Sequence, residues 1–307
     1  MNTNTIQAFQ RLSLHARLLS NQYFKQAKRK QSTMSQNSDI VIKTDVFRKM
    51  IEREEVSVLA DIFQRHKYKL RIAGGAVRDF LHPSGNIMPH DIDFATDATP
   101  QQMKEMFEKE NIRMINVEGG EKHGTITARI LDKDNFEVTT LRIDKVTDGR
   151  KAEVEFTTDW KTDAERRDLT INSMFLDLEG RLYDYFGGRN DLLQERIAFV
   201  GNTVKRIQED YLRILRYFRF YGRIVGEGDP KRLKNHDIET IKDIRTNSEG
   251  LGRISGERIW SEWKKIFSGR FGDQVTYGAY YIINFSWRFF FLGNFNQFHN
   301  YFYLQHS

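Results

Sequence analysis

The sequence predicts an α+β chain: a small mixed β-sheet carrying helices over about residues 39–160, followed by an all-helical segment over 161–267. Three observations predict it. Alternating apolar runs at Thr125–Ile130 and 136–143 flank the turn residues Asp132-Lys133-Asp134-Asn135, the pattern of a β-hairpin. Other short apolar runs before residue 160 alternate with helical stretches. After about Thr162 the pattern becomes mainly helical, apart from a short hairpin read over 175–185 around Glu179-Gly180.

The elements follow in order. Residues 1–38 carry Arg11, Arg17, Lys25, Lys28, Arg29 and Lys30 and no acid, with an amphipathic opening around Phe9, Leu12 and Leu14. That is the composition of a mitochondrial transit peptide or a disordered basic leader. Initiation at Met34 would give a form without it, and so a cytosolic or nuclear pool. Val41, Phe47, Ile51, Val56, Leu59, Ile62 and Phe63 have helical spacing, so one or two helices open the globular part. A strand over 68–73 runs into Gly74-Gly75, and a helix begins at Ala76. Residues 92–95 read as a short strand. Thr99-Pro100 supplies an N-cap and a proline at the first helical position, so a helix follows over 101–110.

Composition bounds the function. The 307 residues are 39% hydrophobic and 29% charged, as in a soluble globular chain of one or two domains. Cysteine is absent, which excludes disulfides and thiolate chemistry. The net charge of +6 resides in the leader; the remaining chain has 42 basic against 42 acidic residues. Bulk charge therefore does not argue for nucleic acid, and any such surface has to be local.

Residues 269–307 are a different material. Fourteen are aromatic and only Arg270, Asp273 and Arg288 are charged, with no clear period and no core pattern. A membrane span needs about 20 mostly apolar residues, and Asn284, Arg288, Asn294, Asn296 and Gln297 interrupt this stretch, so no span is expected. The tail reads as an atypical, non-native terminus that would promote aggregation.

The motifs carry the chemistry. Gly74-Gly75, between strand and helix, lets backbone N–H groups approach a phosphate chain closely, and Arg78 one turn on can neutralise a phosphate oxygen. Alone this is equally a tight turn with a surface arginine. Asp91 and Asp93, two apart on a short strand, point to one face and offer hard oxygen ligands that suit Mg²⁺. Glu137, with Thr139 and Leu141 on its side of a second strand, supplies a third carboxylate if that strand is adjacent. Two metals held this way would activate a hydroxyl nucleophile and steady a pyrophosphate leaving group. Glu137 or a metal-bound carboxylate would be the general base. Arg166-Arg167-Asp168 is read as a helix start ahead of Leu169, Ile171 and Met174; Arg167 can bind a triphosphate, and Asn172 and Ser173 a sugar. Asp210, Arg213, Arg216 and Arg219 recur every three residues on one helix beside an apolar face.

That last pattern supports a specificity argument. Cytosine and adenine each present an amino donor beside a ring-nitrogen acceptor, whereas guanine and uracil present the reverse. A carboxylate accepts and a guanidinium donates. An Asp210–Arg213 pair therefore matches C and A, and each opposed group left unpaired against G or U costs about 1–3 kcal/mol.

In this order, the residues resemble the class II tRNA nucleotidyltransferases, or CCA-adding enzymes, which are close relatives of bacterial poly(A) polymerases. The resemblance covers about residues 65–267 and is carried by Arg71-Ile72-Ala73-Gly74-Gly75-Ala76-Val77-Arg78-Asp79, Glu121-Lys122-His123-Gly124-Thr125, Glu165-Arg166-Arg167-Asp168-Leu169-Thr170-Ile171-Asn172 and Ile254-Ser255-Gly256-Glu257-Arg258. It is most like the eukaryotic type shared by mitochondria and cytosol. The resemblance implies a nucleotidyltransferase head followed by a helical neck, body and tail. It implies Gly75 and Arg78 at the nucleotide, Asp91 and Asp93 on Mg²⁺, and Arg167 at the triphosphate. It also implies Asp210 and Arg213 as a protein template for the incoming base, with Arg216 and Arg219 nearby. Residues 118–125 resemble the family's flexible loop, and Asp184 and Gly188 fall in the segment that couples head to neck.

Three functional readings follow. The first is addition of C, C and A to tRNA 3′ ends from CTP and ATP without a nucleic-acid template. The second is a poly(A) polymerase-like enzyme. The third is an inactive nucleotide-binding fragment, because the resemblance ends near Phe267 and the chain reads as C-terminally truncated, without the tRNA-gripping body and tail. The sequence does not set the oligomeric state.

Overall fold

The computed structural model describes residues 40–82, 88–89, 91–115, 117–145, 153–225 and 236–283. The leader and residues 284–307 of the aromatic tail lie outside the described residues.

Two helices open the globular part, α1 (Asp45–Ile51) and α2 (Glu54–Arg65). The Thr44 side chain caps α1 by accepting from the Phe47 N–H at 3.2 Å, and α2 buries Val56, Leu59, Ile62 and Phe63 along one face. Strand β1 (Leu70–Ala73) leads through Gly74 into α3 (Gly75–Leu81). Then come β2 (Asp93–Thr96), α4 (Pro100–Lys109), β3 (Arg113–Ile115), α5 (Val117–Glu121), β4 (Thr125–Ile130) and β5 (Asp134–Thr140). A capping box closes the start of α4: Gln102 N donates to Thr99 Oγ1 at 3.3 Å, and Thr99 N donates to Gln102 Oε1 at 2.9 Å.

The main sheet has seven strands in the order β3-β4-β5-β2-β1-β8-β9, with β8 Phe175–Leu176 and β9 Leu182–Tyr183. Among the described strands only β2 and β5 pair in parallel, with Phe94 opposite Val138. This register sets Asp93 level with Glu137, the neighbouring residues toward the same end. The predicted hairpin is β4–β5, but its second strand ends at Thr140. Leu141 donates its N–H to Thr96 and turns inward at 0% exposure, after which β6 (Arg142–Lys145) pairs with β7 (Glu153–Phe156) in a separate ribbon. A second strand running unbroken to 143 is corrected accordingly.

The helical part holds α6 (Trp160–Glu165), a 3₁₀ turn (Thr170–Asn172), α7 (Gly188–Leu193), α8 (Thr203–Glu209), α9 (Arg213–Ile224), α10 (Ile238–Asn247), α11 (Gly256–Phe267) and α12 (Gly272–Ile283). Its core is built on Ile214, Leu215, Tyr217 and Phe218 of α9, packed against Ile259, Trp263 and Ile266 of α11. Here the tail expectation fails in part. α12 packs against α9, with Val275, Ala279, Ile282 and Ile283 buried in the same core. A Cβ at Gly222 would lie 2.7 Å from Val275, so this glycine permits the close crossing of the two helices. The four buried residues recur at spacings of four, three and one; the surrounding aromatics hid that period. No helix among the described residues is long and apolar enough to cross a membrane.

Candidate active site

The glycine turn is built by backbone need. Gly74 has φ 65°, a region that favours glycine, and it turns β1 into α3. Both glycines border the arginines of the cavity: a Cβ at Gly74 would lie 3.7 Å from Arg167 Nη1, and one at Gly75 3.5 Å from Arg78 Nη2.

Asp93 opens β2, whereas Asp91 precedes the strand in a bend, so the two do not share one strand as expected. Both nevertheless border the same cavity, as does Glu137 on the adjacent β5. Alternation on β5 sends Phe136, Val138 and Thr140 into the core and Glu137 outward. The wall of the cavity desolvates the Asp93 carboxyl; this, together with the charges of Glu137 and Asp91, holds it above the usual carboxylate range, against the pull of Arg167. No group of three or more His, Cys, Asp or Glu with metal-holding geometry occurs among the described residues. Two carboxylates with a third nearby still fit Mg²⁺, which takes few protein ligands and completes its shell with water and substrate phosphates.

The Arg166-Arg167 pair follows the end of α6 instead of starting a helix, which corrects the sequence reading. Asp159 caps α6, and Thr170–Asn172 is a single 3₁₀ turn. Arg167 donates Nε and Nη2 to Asp163 and Nη1 to the Asn172 carbonyl, with its guanidinium 4.7 Å from the Phe175 ring centroid. Arg78 is 3% exposed and donates Nη1 to Asn172 Oδ1 at 2.7 Å. Burial pulls the Arg78 guanidinium down to about 10, opposed by Asp79, so it remains a cation at neutral pH. Asn172 in turn donates Nδ2 to Asp168 at 3.2 Å. Ser173 is 0% exposed, donates to the Thr170 carbonyl and is absent from the cavity wall, so the sugar role read for it is withdrawn.

On the helical side, Arg213, Arg216 and Arg219 lie on α9, but Asp210 precedes that helix and ends α8. The four-member stripe on one helix is thus three arginines and one inter-helix carboxylate. Asp210 accepts from Arg258 at 2.8 Å and Arg213 donates to Glu209 at 2.7 Å. Asp210 and Arg213 therefore border one cavity without their side chains being paired to each other. The arginine row is neutralised by protein: Arg216 by Asp168 at 2.7 Å, Arg219 by both oxygens of Glu262 at 3.0 and 2.9 Å. Burial raises the Asp168 carboxyl, and the Arg216 charge more than offsets this, leaving it below the usual range.

These groups line one cavity of about 1030 Å³. Its wall includes Gly74, Gly75, Arg78, Asp91, Asp93, Glu137, Arg167 and Asn172 from the sheet side, and Asp210, Arg213, Arg216 and Arg219 from the helices. Apart from Ser173, every site residue expected from the sequence is there. Arg223 donates to both oxygens of Asp79 on α3 and ties α9 to the sheet domain across 144 residues of sequence. Asp184 accepts from the Gly188 and Arg189 N–H groups at 2.9 Å, where α7 begins. A Cβ at Gly188 would lie 2.2 Å from the Thr170 carbonyl oxygen. Within 118–125 the backbone forms the last residues of α5 before β4, not loop alone. Sequence reasoning missed Asp163, Glu209 and Glu262. The first two stand four residues before Arg167 and Arg213, the helical ion-pair spacing that would have found them. The Asp79–Arg223 link has no local signal.

Two family models match: a poly(A) polymerase head domain over residues 70–198, and a probable RNA- and SrmB-binding site of polymerase A over 237–275. The second extends past Phe267, where the resemblance was expected to end. The mitochondrial CCA tRNA nucleotidyltransferase 1 of Mus musculus is 62% identical over 216 residues, covering 70% of this chain and 48% of that protein. That of Homo sapiens is 60% identical over 228 residues, covering 74% and 50%. A solved Bacillus stearothermophilus CCA-adding enzyme in complex with CTP superposes with TM-score 0.62 at 29% identity, covering 76% of this chain and 51% of that one. The chain spans about half the length of the curated relatives it matches. Over residues 70–198 the chain carries a poly(A) polymerase head domain, and over the half of their length that it matches it is similar to the CCA tRNA nucleotidyltransferases.

Proposed function

We propose that the protein is a template-independent RNA nucleotidyltransferase that adds C, C and A to tRNA 3′ ends from CTP and ATP. One observation carries this: the glycine turn, the carboxylates Asp91, Asp93 and Glu137, and the base-matching residues Asp210 and Arg213 line a single cavity. Relatives carrying the name CCA tRNA nucleotidyltransferase, and the relative solved with CTP, support the reading.

In this reading Gly74, Gly75, Arg78 and Arg167 hold the triphosphate, and Asn172 meets the sugar. Asp210 accepts from the base amino group and Arg213 donates to the ring nitrogen, after exchanging their Arg258 and Glu209 contacts. Arg216 and Arg219 back the base through fixed charge. The 3′-hydroxyl oxygen of the RNA bonds to the α-phosphorus, the bond from that phosphorus to the oxygen bridging to the β-phosphate breaks, and pyrophosphate leaves. The hydroxyl proton passes to a carboxylate of the cavity, with Glu137 and Asp93 in reach of the same face. Asp91 and Asp93 would hold Mg²⁺, which when bound offsets charge on the attacking and leaving oxygens. The names of the relatives support a mitochondrial location, consistent with the basic leader; initiation at Met34 would add a cytosolic or nuclear pool.

The test is incorporation of labelled CTP and ATP into tRNA lacking its 3′ CCA, with purified protein and Mg²⁺. Ordered addition of C, C and then A supports the proposal. Runs of A alone would replace it with the poly(A) polymerase reading. CTP binding without incorporation would reduce the chain to a nucleotide-binding fragment.

A further inference from the structure

Asp163 is 1% exposed and touches none of the reacting groups named above, yet it holds the guanidinium groups of Arg166 and Arg167 and the backbone N–H of Arg142, three residues of the cavity wall. Its Oδ1 accepts from Arg166 Nε at 2.9 Å and Nη2 at 2.8 Å, and from the Arg142 N–H at 3.1 Å. Its Oδ2 accepts from Arg167 Nε at 3.1 Å and Nη2 at 3.0 Å. Both oxygens are thus fully committed, and three arginines of one cavity are referenced to a single buried point.

The consequence is sharpest for Arg167. A guanidinium has five N–H donors in a rigid fork. One edge is taken by Asp163, one Nη1 donor by the Asn172 carbonyl, and one face by the Phe175 ring. What remains is one donor on each terminal nitrogen, and Nη1 lies beside the Gly74 turn. Asp163 therefore determines which edge of Arg167 faces the phosphate cradle. Without it the side chain has free rotamers and an orphaned charge.

We propose that Asp163 is a positioning residue for the nucleotide: it presents the free edge of Arg167 to the phosphate chain at Gly74. The inference rests on the triphosphate reading above. It also separates cleanly from electrostatics. Asp163→Asn removes a negative charge from a cavity meant for a polyanion, so charge alone requires tighter CTP binding. Loss of positioning requires weaker binding.

The experiment is titration calorimetry of the full chain with CTP for wild type, Asp163→Asn, Arg167→Ala and the double variant, with thermal unfolding followed in parallel. We expect about tenfold weaker CTP binding for Asp163→Asn, and no further loss when it is added to Arg167→Ala. Binding that is unchanged or tighter in Asp163→Asn overturns the inference while leaving the proposed function intact, and so does additivity of the two losses. If wild type itself binds no CTP, both fall. Arg167→Lys tests the same geometry without disturbing Asp163: lysine keeps the charge but has no fork to be oriented. It should lose about as much as Arg167→Ala, and wild-type affinity in Arg167→Lys would overturn the proposal.

Discussion

Acidification should loosen the neck through His236. Its ring is 8% exposed, stacks on Tyr221 at 3.8 Å between centroids, and shares a hydrogen bond with Tyr217 through Nδ1 at 2.8 Å. Nε2 has no partner among the described residues. Burial therefore pushes the imidazole down from 6.5 to about 4. Folding keeps this histidine neutral, whereas the unfolded chain protonates it below about 6.5, so the unfolded state binds more protons through this window. Stability is present above the unfolded value and is lost as the pH falls from about 6.5 toward about 4. The shift corresponds to about 3 kcal/mol in full and about 2 kcal/mol by pH 5, at 1.36 kcal/mol per pH unit. Asp163 and Asp168 lie below the usual carboxylate range, so their own losses come at lower pH and do not overlap. The assay is urea unfolding at pH 7 and pH 5 of wild type and His236→Gln. Wild type should lose about 2 kcal/mol more than the variant over that interval. Parallel losses in the two proteins would refute the argument.

Other perturbations follow from the same geometry. Asp91→Ala or Asp93→Ala should lower nucleotide incorporation by at least about a hundredfold while leaving the circular dichroism and melting profile unchanged; near wild-type rates would remove the metal assignment. Arg213→Ala should blur the preference for C and A over G and U, measured as the ratio of kcat/KM values, and an unchanged ratio would remove the protein-template reading. Gly188→Ala places a methyl group against the Thr170 carbonyl oxygen, 2.2 Å from the ideal Cβ, and should destabilise the protein by about 1–3 kcal/mol in denaturant unfolding.

Most of the site was legible because its signals are local. The glycine turn and the period-2 run around Glu137 each specify their own backbone, and tertiary packing only had to bring β2 and β5 side by side; the Asp-x-Asp spacing marked the carboxylates but not their backbone, since Asp91 lies in a bend before β2. What was misread depends on partners distant in sequence. Asp210 looked like one turn of the arginine helix, since its spacing from Arg213 is helical. The chain instead breaks there: Asp210 is extended at φ −155°, and its Oδ1 accepts the Leu212 N–H. Asp168 and Glu262 neutralise Arg216 and Arg219, and neither carboxylate is close to its partner in sequence, so these pairs leave no local signal. α12 was missed because its buried face is written in Val, Ala and Ile among aromatics that masked the period.

The central claim is that one cavity reads the base by its hydrogen-bonding edge. The most direct measurement is equilibrium competition against labelled CTP, in Mg²⁺, by each of the four ribonucleoside triphosphates. The account predicts that CTP and ATP displace the label while GTP and UTP at the same concentration leave it bound. Equal displacement by all four would contradict it.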